Sequence, residues 1–223
     1  MKLDLCLITY NGCYEKNSTT DDLKYTPNDL TLKQQLSEEA IMSNQVTTQV
    51  ITLGGGCFWC LESALNSVDG VISAYSGYSN GHADSPSYEA VCSGETGHTE
   101  VVQVTFDPAI LSLRQVLEIF FALHDPTQLN RQGNDVGTQY RSGIYFHTEE
   151  QKSAAQAIIA EIEEQKIWPN PVVTEVLPVE NYSQAEDYHQ DYFSNNPQNQ
   201  YCNMVVAPKL AKFKKTFASK LKK

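Results

Sequence analysis

Gly54-Gly55-Gly56-Cys57-Phe58-Trp59-Cys60-Leu61-Glu62 puts a cysteine where a glycine-rich turn runs into a stretch free of helix breakers. Before it, Val46 to Leu53 is rich in β-branched residues and predicts a strand; after it, Phe58 to Asn66 predicts a helix. A strand therefore delivers Cys57 to a helix N-terminus, where unpaired N–H groups and the positive end of the macrodipole favour an anion. Cys57 is expected to be more thiolate, and so more nucleophilic, than an ordinary cysteine. The glycines allow close backbone approach to a bound group. Phe58 and Trp59 offer an apolar wall beside the sulfur, fitted to a small group such as a methyl. A lone cysteine at a helix start is most often a small hydrophobe, but Cys57-x-x-Cys60 argues for redox chemistry or half of a zinc site. The sequence holds no second CxxC or paired-histidine motif to complete a tetrahedral site, so no metal is expected.

Working outward, Val71 to Tyr78 and Thr99 to Phe106 predict strands, the second closed by Pro108. Leu113 to His124 carries Leu113, Val116, Leu117, Phe120 and Phe121 at helical spacing, and Ile144 to Phe146 predicts a short strand. The order is β-α-β-β-α-β. It predicts an α+β fold, a two-layer sandwich with a ferredoxin-like core and a mainly antiparallel sheet. Thr148 to Lys166 predicts a further helix, with Thr148 as N-cap and Gln151 three residues on. Val172 to Val179 adds a strand and Ala185 to Phe193 a short helix.

A chain of 223 residues can bury one sizeable core. Its net charge of −11 argues against nucleic-acid binding through the whole surface. Seven lysines between Lys209 and Lys223 nevertheless crowd the C-terminus. Leu210, Phe213, Phe217 and Leu221 keep helical spacing among them, which predicts a docked helix with a solvated basic face. Six cysteines in this length do not make a disulfide scaffold. No stretch is long and apolar enough to span a bilayer, and the N-terminal run is too short for a signal-peptide core, so a cytoplasmic protein without a membrane partner is expected. Residues 1–45 are expected to be a polar extension, wrapped on the domain or partly disordered, with Leu30 to Ala40 as a candidate short helix and Cys6 and Cys13 as spectators.

Three segments are longer and more polar than turns require: Asn80 to Tyr88, Ser93 to Glu100 and Gln128 to Tyr140. Sites concentrate in such segments. With the cysteine motif, they make the chain similar to peptide methionine sulfoxide reductases of the A type over about residues 46–217. The resemblance rests on Gly55 to Trp59 with Glu62, on Ser87-Tyr88-Glu89-Ala90-Val91-Cys92-Ser93-Gly94-Glu95-Thr96-Gly97-His98-Thr99-Glu100, and on Gly133-Asn134-Asp135-Val136-Gly137-Thr138-Gln139-Tyr140-Arg141-Ser142. Ala185-Glu186-Asp187-Tyr188-His189-Gln190 and Tyr201-Cys202 ahead of Pro208-Lys209 complete it.

The resemblance implies that Cys57 is the nucleophile and Glu100 the acid that protonates the sulfoxide oxygen. Tyr88 and Tyr140 then donate hydrogen bonds around that oxygen, Asp135 supports the polar side, and Phe58 and Trp59 hold the methyl group. It further implies the S epimer as substrate, free or in proteins, and thioredoxin as reductant, with no organic cofactor. The chemistry is coherent, because reducing a sulfoxide needs a nucleophile at sulfur and a proton at oxygen. Taken singly, Glu100 is a solvated carboxylate, the tyrosines are packing residues, Asp135 is a turn residue, and His98 and His189 are structural.

Cys57 sulfenic acid needs a second thiol. Cys202, in the polar segment 194–207, resembles the family's resolving cysteine and is expected to reach Cys57 through flexibility; Cys60 is the rival, and Cys92 is expected to be buried. Residues 46–217 make the catalytic domain, 218–223 a basic end, and a monomer is expected. Two other hypotheses stand beside this one: a thioredoxin-like dithiol oxidoreductase using Cys57 and Cys60, and a binding module that holds methionine side chains.

Overall fold

The structure is a computed structural model that describes residues 47–84 and 86–223. The expectations for residues 1–45, the Leu30 to Ala40 helix, Cys6 and Cys13 among them, lie outside the described residues.

Strand β1 (Gln49–Gly54) sits in the middle of the sheet, flanked by β3 (Thr99–Phe106) and β6 (Gly143–Phe146), both antiparallel to it. β2 (Val71–Ser79) pairs with β3 on the other side, so the strands of the βαββαβ core stand in the order β6-β1-β3-β2. The ferredoxin-like expectation therefore holds. Two short strands extend the sheet: β7 (Glu175–Pro178) runs parallel to β6, and β8 (Ser183–Gln184) runs antiparallel to β2. A separate two-residue hairpin joins β4 (Arg131–Gln132) to β5 (Asp135–Val136).

The period of two decides which side chains enter the core. Ile51 and Leu53 of β1 stand opposite Val104 and Val102 of β3, and Leu53 stands opposite Ile144 of β6. All are fully buried, together with residues of helices α1 (Phe58–Asn66), α3 (Leu113–Leu123) and α4 (Glu149–Glu164). Each such side chain contributes about 1.5–3 kcal/mol relative to leaving it in water. The alternate residues carry polar contacts: Tyr145 Oη lies 2.7 Å from Thr99 Oγ1, and Thr52 Oγ1 lies 3.0 Å from His147 Nε2.

Local signals set the helix starts. Ser112 and Gln115 form a reciprocal capping box before α3. At α4, Thr148 accepts from Gln151 N as expected, but the Gln151 side chain caps His147 N and donates to Val50 O, which ties the helix to β1. The C-terminal helix α6 (Ala207–Thr216) buries Phe213 and packs Leu210 against the core, as do Phe217 and Leu221 beyond it, while Lys209, Lys212, Lys214 and Lys215 face solvent.

Two expectations change. Ala185 to Phe193 is not one helix. A single 3-10 turn over Asp187–His189 is followed by Asp191 at φ 50° and the short helix α5 (Tyr192–Asn195). The Gln190 side chain bonds Ser76 N and O and Ala185 O, and these contacts hold the segment against the β2 edge in place of helical bonding. A helix unmarked by periodicity, α2 (Tyr88–Cys92), follows an N-cap at Ser87. It buries Val91 and leaves Cys92 exposed, contrary to the burial expected of that cysteine.

Candidate active site

Gly56 explains why the chain turns where it does. Its φ is +88°, and a Cβ there would stand 2.7 Å from the Gln132 side chain, so glycine alone fits the turn that presents Cys57 as N-cap of α1. Glu100 shares the core face of β3 with Val102 and Val104, one residue pair beyond the hydrophobic rows. That register aims a carboxyl group at the start of α1, where its Oε2 accepts a hydrogen bond from Phe58 N at 3.1 Å.

Glu100 is 2% exposed and Cys57 7%. Burial pushes the Glu100 carboxyl well above its usual range, and the neighbouring Cys57 and Asp135 push it the same way. The surroundings of Glu100 thus favour its neutral form over the carboxylate. The Cys57 thiol is also raised, first by burial and then by its contact with Cys60; the Tyr201 hydroxyl and the Trp59 N–H pull it back down. This corrects the expected thiolate. The helix N-terminus is present, but Phe58 N–H serves Glu100 and the sulfur is buried, so desolvation outweighs the dipole. Cys60, half-buried, is lowered by its hydrogen bond from Cys57.

Around this buried floor runs a half-buried rim of Trp59, Tyr88, Asp135, Tyr140 and Tyr201. Phe58 lies under it at 1% exposure, its ring 6.5 Å from that of Tyr88 and near-parallel to it. Burial raises both Tyr88 and Tyr140, which keeps their hydroxyls protonated as donors, and the nearby Glu100 carboxyl acts in the same direction. Asp135 Oδ2 accepts from Tyr201 Oη at 2.8 Å, and that hydroxyl in turn meets Cys57. Every residue expected at the site is thus brought to one place.

Cys202 is fully buried at the start of a wide helical turn over Cys202–Val206; burial raises its thiol, and the Cys57 sulfur acts in the same direction. The Cys202 N–H donates to Asn199 Oδ1 at 3.1 Å.

Three residues of the site escaped sequence reasoning. Tyr201 was visible only as part of a motif. His124, fully enclosed, bonds Phe120 O at 2.8 Å and Ser142 Oγ at 2.7 Å behind Gly55, and burial lowers it to about 4, so it is a neutral strut. His189, set down as structural, touches the rim directly: Trp59 Nε1 donates to its Nδ1 at 3.1 Å.

A buried cysteine at a helix start with a buried carboxyl beside it, and two further thiols in the same region, is equipment that suits a thiol-dependent oxidoreductase, here on an α+β sandwich. Comparison with known proteins narrows the class. The family model of peptide methionine sulfoxide reductase matches residues 49–221, and the chain belongs to that family. It is 55% identical over 174 residues to a peptide methionine sulfoxide reductase of Saccharolobus solfataricus, an alignment covering 78% of this chain and 97% of that one. With the corresponding protein of Polynucleobacter asymbioticus it shares 53% over 176 residues, 79% of this chain and 93% of that one. Among solved structures, reduced Mxr1 from Saccharomyces cerevisiae superimposes with a TM-score of 0.65 at 39% identity, covering 71% of this chain and 91% of that one. The methionine sulfoxide reductase A of Corynebacterium diphtheriae gives 0.62 at 33%, covering 70% and 78%. Reduction of methionine sulfoxide by thiol chemistry is accordingly the activity, and the binding-module and simple dithiol-exchange hypotheses fall away.

Proposed function

We propose that this enzyme reduces the S epimer of methionine sulfoxide, free or within proteins, through Cys57, with Glu100 as proton donor. The observation that supports this most directly is the buried Glu100, its carboxyl pushed toward the neutral form, one hydrogen bond from the helix start that carries Cys57. As the sulfoxide oxygen meets the Glu100 proton, Cys57 sulfur attacks the substrate sulfur. The S–O bond breaks, and the oxygen leaves as water with the Glu100 proton and the Cys57 thiol proton, so that Cys57 and the substrate are joined by an S–S bond as a sulfonium. Water then attacks the Cys57 sulfur and breaks that S–S bond, methionine leaves, a proton returns to Glu100, and Cys57 becomes a sulfenic acid. Tyr88 and Tyr140 donate to the oxygen as charge builds on it, Asp135 orients Tyr201 toward the nucleophile, and Phe58 with Trp59 receives the methyl group.

Cys202 then attacks the sulfenic sulfur, expelling water and leaving a Cys57–Cys202 disulfide, which thioredoxin or another dithiol reduces with two electrons. No metal or organic cofactor takes part in these steps. The monomer remains the expected working unit and the cytoplasm its compartment; no helix among the described residues is long and apolar enough to cross a membrane.

Two measurements test this. Offered a peptide with separated sulfoxide epimers and dithiothreitol, the enzyme consumes the S form alone, and Cys57→Ser consumes neither. A second possibility for the resolving thiol rests on the Cys57–Cys60 hydrogen bond. A bridge between residues three apart on a regular helix needs local distortion, which favours Cys202. Peptide mapping after one equivalent of substrate is expected to recover Cys57 linked to Cys202; a Cys57–Cys60 crosslink with Cys202 free removes Cys202 from the role.

A further inference from the structure

Asp135 and Tyr201 belong to the rim of the site, and both also line a groove of about 700 Å³ that lies outside the chemistry above. The β4–β5 turn forms one wall of this groove, and Met204, Val205, Lys209 and Lys212 stand on the other. Lys209 also lines a small space with Cys57 and Cys60, so the groove and the thiols share a boundary. Met204 is 68% exposed and Val205 half-buried, which leaves apolar surface open to solvent beside the site. A thioether of this kind packs against side chains of varied shape.

The charges in the groove are set apart from those of the rest of the molecule. Lys209 and Lys212 stand three residues apart in α6, and so on one face of it. Among the described residues neither amine is in an ion pair. Asp135 is the one carboxylate lining the groove, and its Oδ2 is occupied by Tyr201 Oη at 2.8 Å. The chain as a whole carries a net charge of −11, so two lysines without a carboxylate partner reverse its sign locally. A sulfoxide side chain fills the Cys57 site alone, whereas the chain on either side of it needs a surface to lie on. A groove continuous with that site, partly apolar and basic, is complementary to an extended acidic peptide.

We propose that this groove receives the residues flanking the sulfoxide in a protein substrate, and that Lys209 and Lys212 select an Asp or Glu side chain among them. The proposal rests on the reading that Cys57 reduces methionine sulfoxide within proteins. Exposed ion pairs are weak, so the selectivity is about fivefold, and salt screens it. A pair formed equally in the bound and transition states acts through KM and leaves kcat unchanged.

The test uses the full chain, dithiothreitol as reductant, and short blocked peptides with a central methionine S-sulfoxide flanked on both sides by Asp or by Lys. The parent enzyme is expected to favour the Asp peptide in kcat/KM by about fivefold, with the ratio falling toward one in about 0.5 M sodium chloride. Lys212→Glu is the variant of choice, because Lys209 adjoins Cys60. It is expected to bring the ratio below one; the ratio is read within one enzyme, so a change in the amount of active protein cancels. Equal kcat/KM for the two peptides in the parent enzyme overturns the proposal, as does a preference that Lys212→Glu leaves in place. An unchanged peptide ratio with a raised KM for thioredoxin overturns it in favour of a docking surface for the reductant. Failure of the parent enzyme to reduce either peptide overturns the underlying reading of Cys57, and the groove proposal with it.

Discussion

The role proposed for Glu100 requires that it keep its proton, and burial acts in that direction. Glutamine at position 100 preserves the shape and can still accept from Phe58 N, but it cannot protonate the sulfoxide oxygen. Glu100→Gln is expected to lower kcat by about 10²–10⁴-fold with an unchanged melting curve; turnover within tenfold of the parent enzyme would remove the acid role. The residue types of the chemistry were legible beforehand, because a sulfur nucleophile, a carboxyl and an aromatic pair lie in motifs of characteristic composition. Tyr201 and His189 were not legible as site residues. Their partners are 66 and 130 positions away in the chain, and no local pattern reports such a contact. The charge state of Cys57 was misjudged for a related reason: the dipole is local and visible, whereas desolvation depends on everything that closes over the sulfur.

At the scale of elements, the turn from β1 into α1 carries the site and tolerates least. An alanine at position 56 meets both a left-handed φ and the Gln132 side chain. Gly56→Ala is expected to cost about 1–3 kcal/mol. For a domain of this size that lowers the melting temperature by about 2–4 °C per kcal/mol, readable by circular dichroism. The long strands and helices followed from periodicity, since burial of alternate or every third and fourth residue leaves that imprint. The Ala185 to Phe193 segment did not. Its composition suits a helix, but its backbone is held by Gln190 and the β2 edge, a tertiary contact that overrides propensity. Cys92 was misplaced because α2 is a single turn, too short for periodicity to say which side faces the core.

Across the whole molecule, closing the helix layer over the sheet also traps Glu62, 1% exposed, with no hydrogen-bond partner for Oε2 among the described residues. Burial raises its carboxyl from 4.5 to about 7. The folded state therefore binds this proton more tightly than the unfolded chain does. Its stabilising contribution is complete below pH 4.5 and is lost as pH rises through about 7. The shift corresponds to at most about 3 kcal/mol. Urea unfolding between pH 4.5 and 8 should show stability falling with pH, and Glu62→Gln should flatten that slope; an unchanged slope would place the titration elsewhere.

From its own order of residues the chain determined the strand and helix sequence, the ferredoxin-like core and the identity of the reacting groups, because periodicity and motif composition are properties of neighbours along the chain. Only the tertiary structure decided in which direction burial shifts those groups, where Cys202 is buried and what Trp59 bonds to. Solvent exclusion and contacts between distant segments exist only once the sheet is covered and the C-terminal segment has closed over α1.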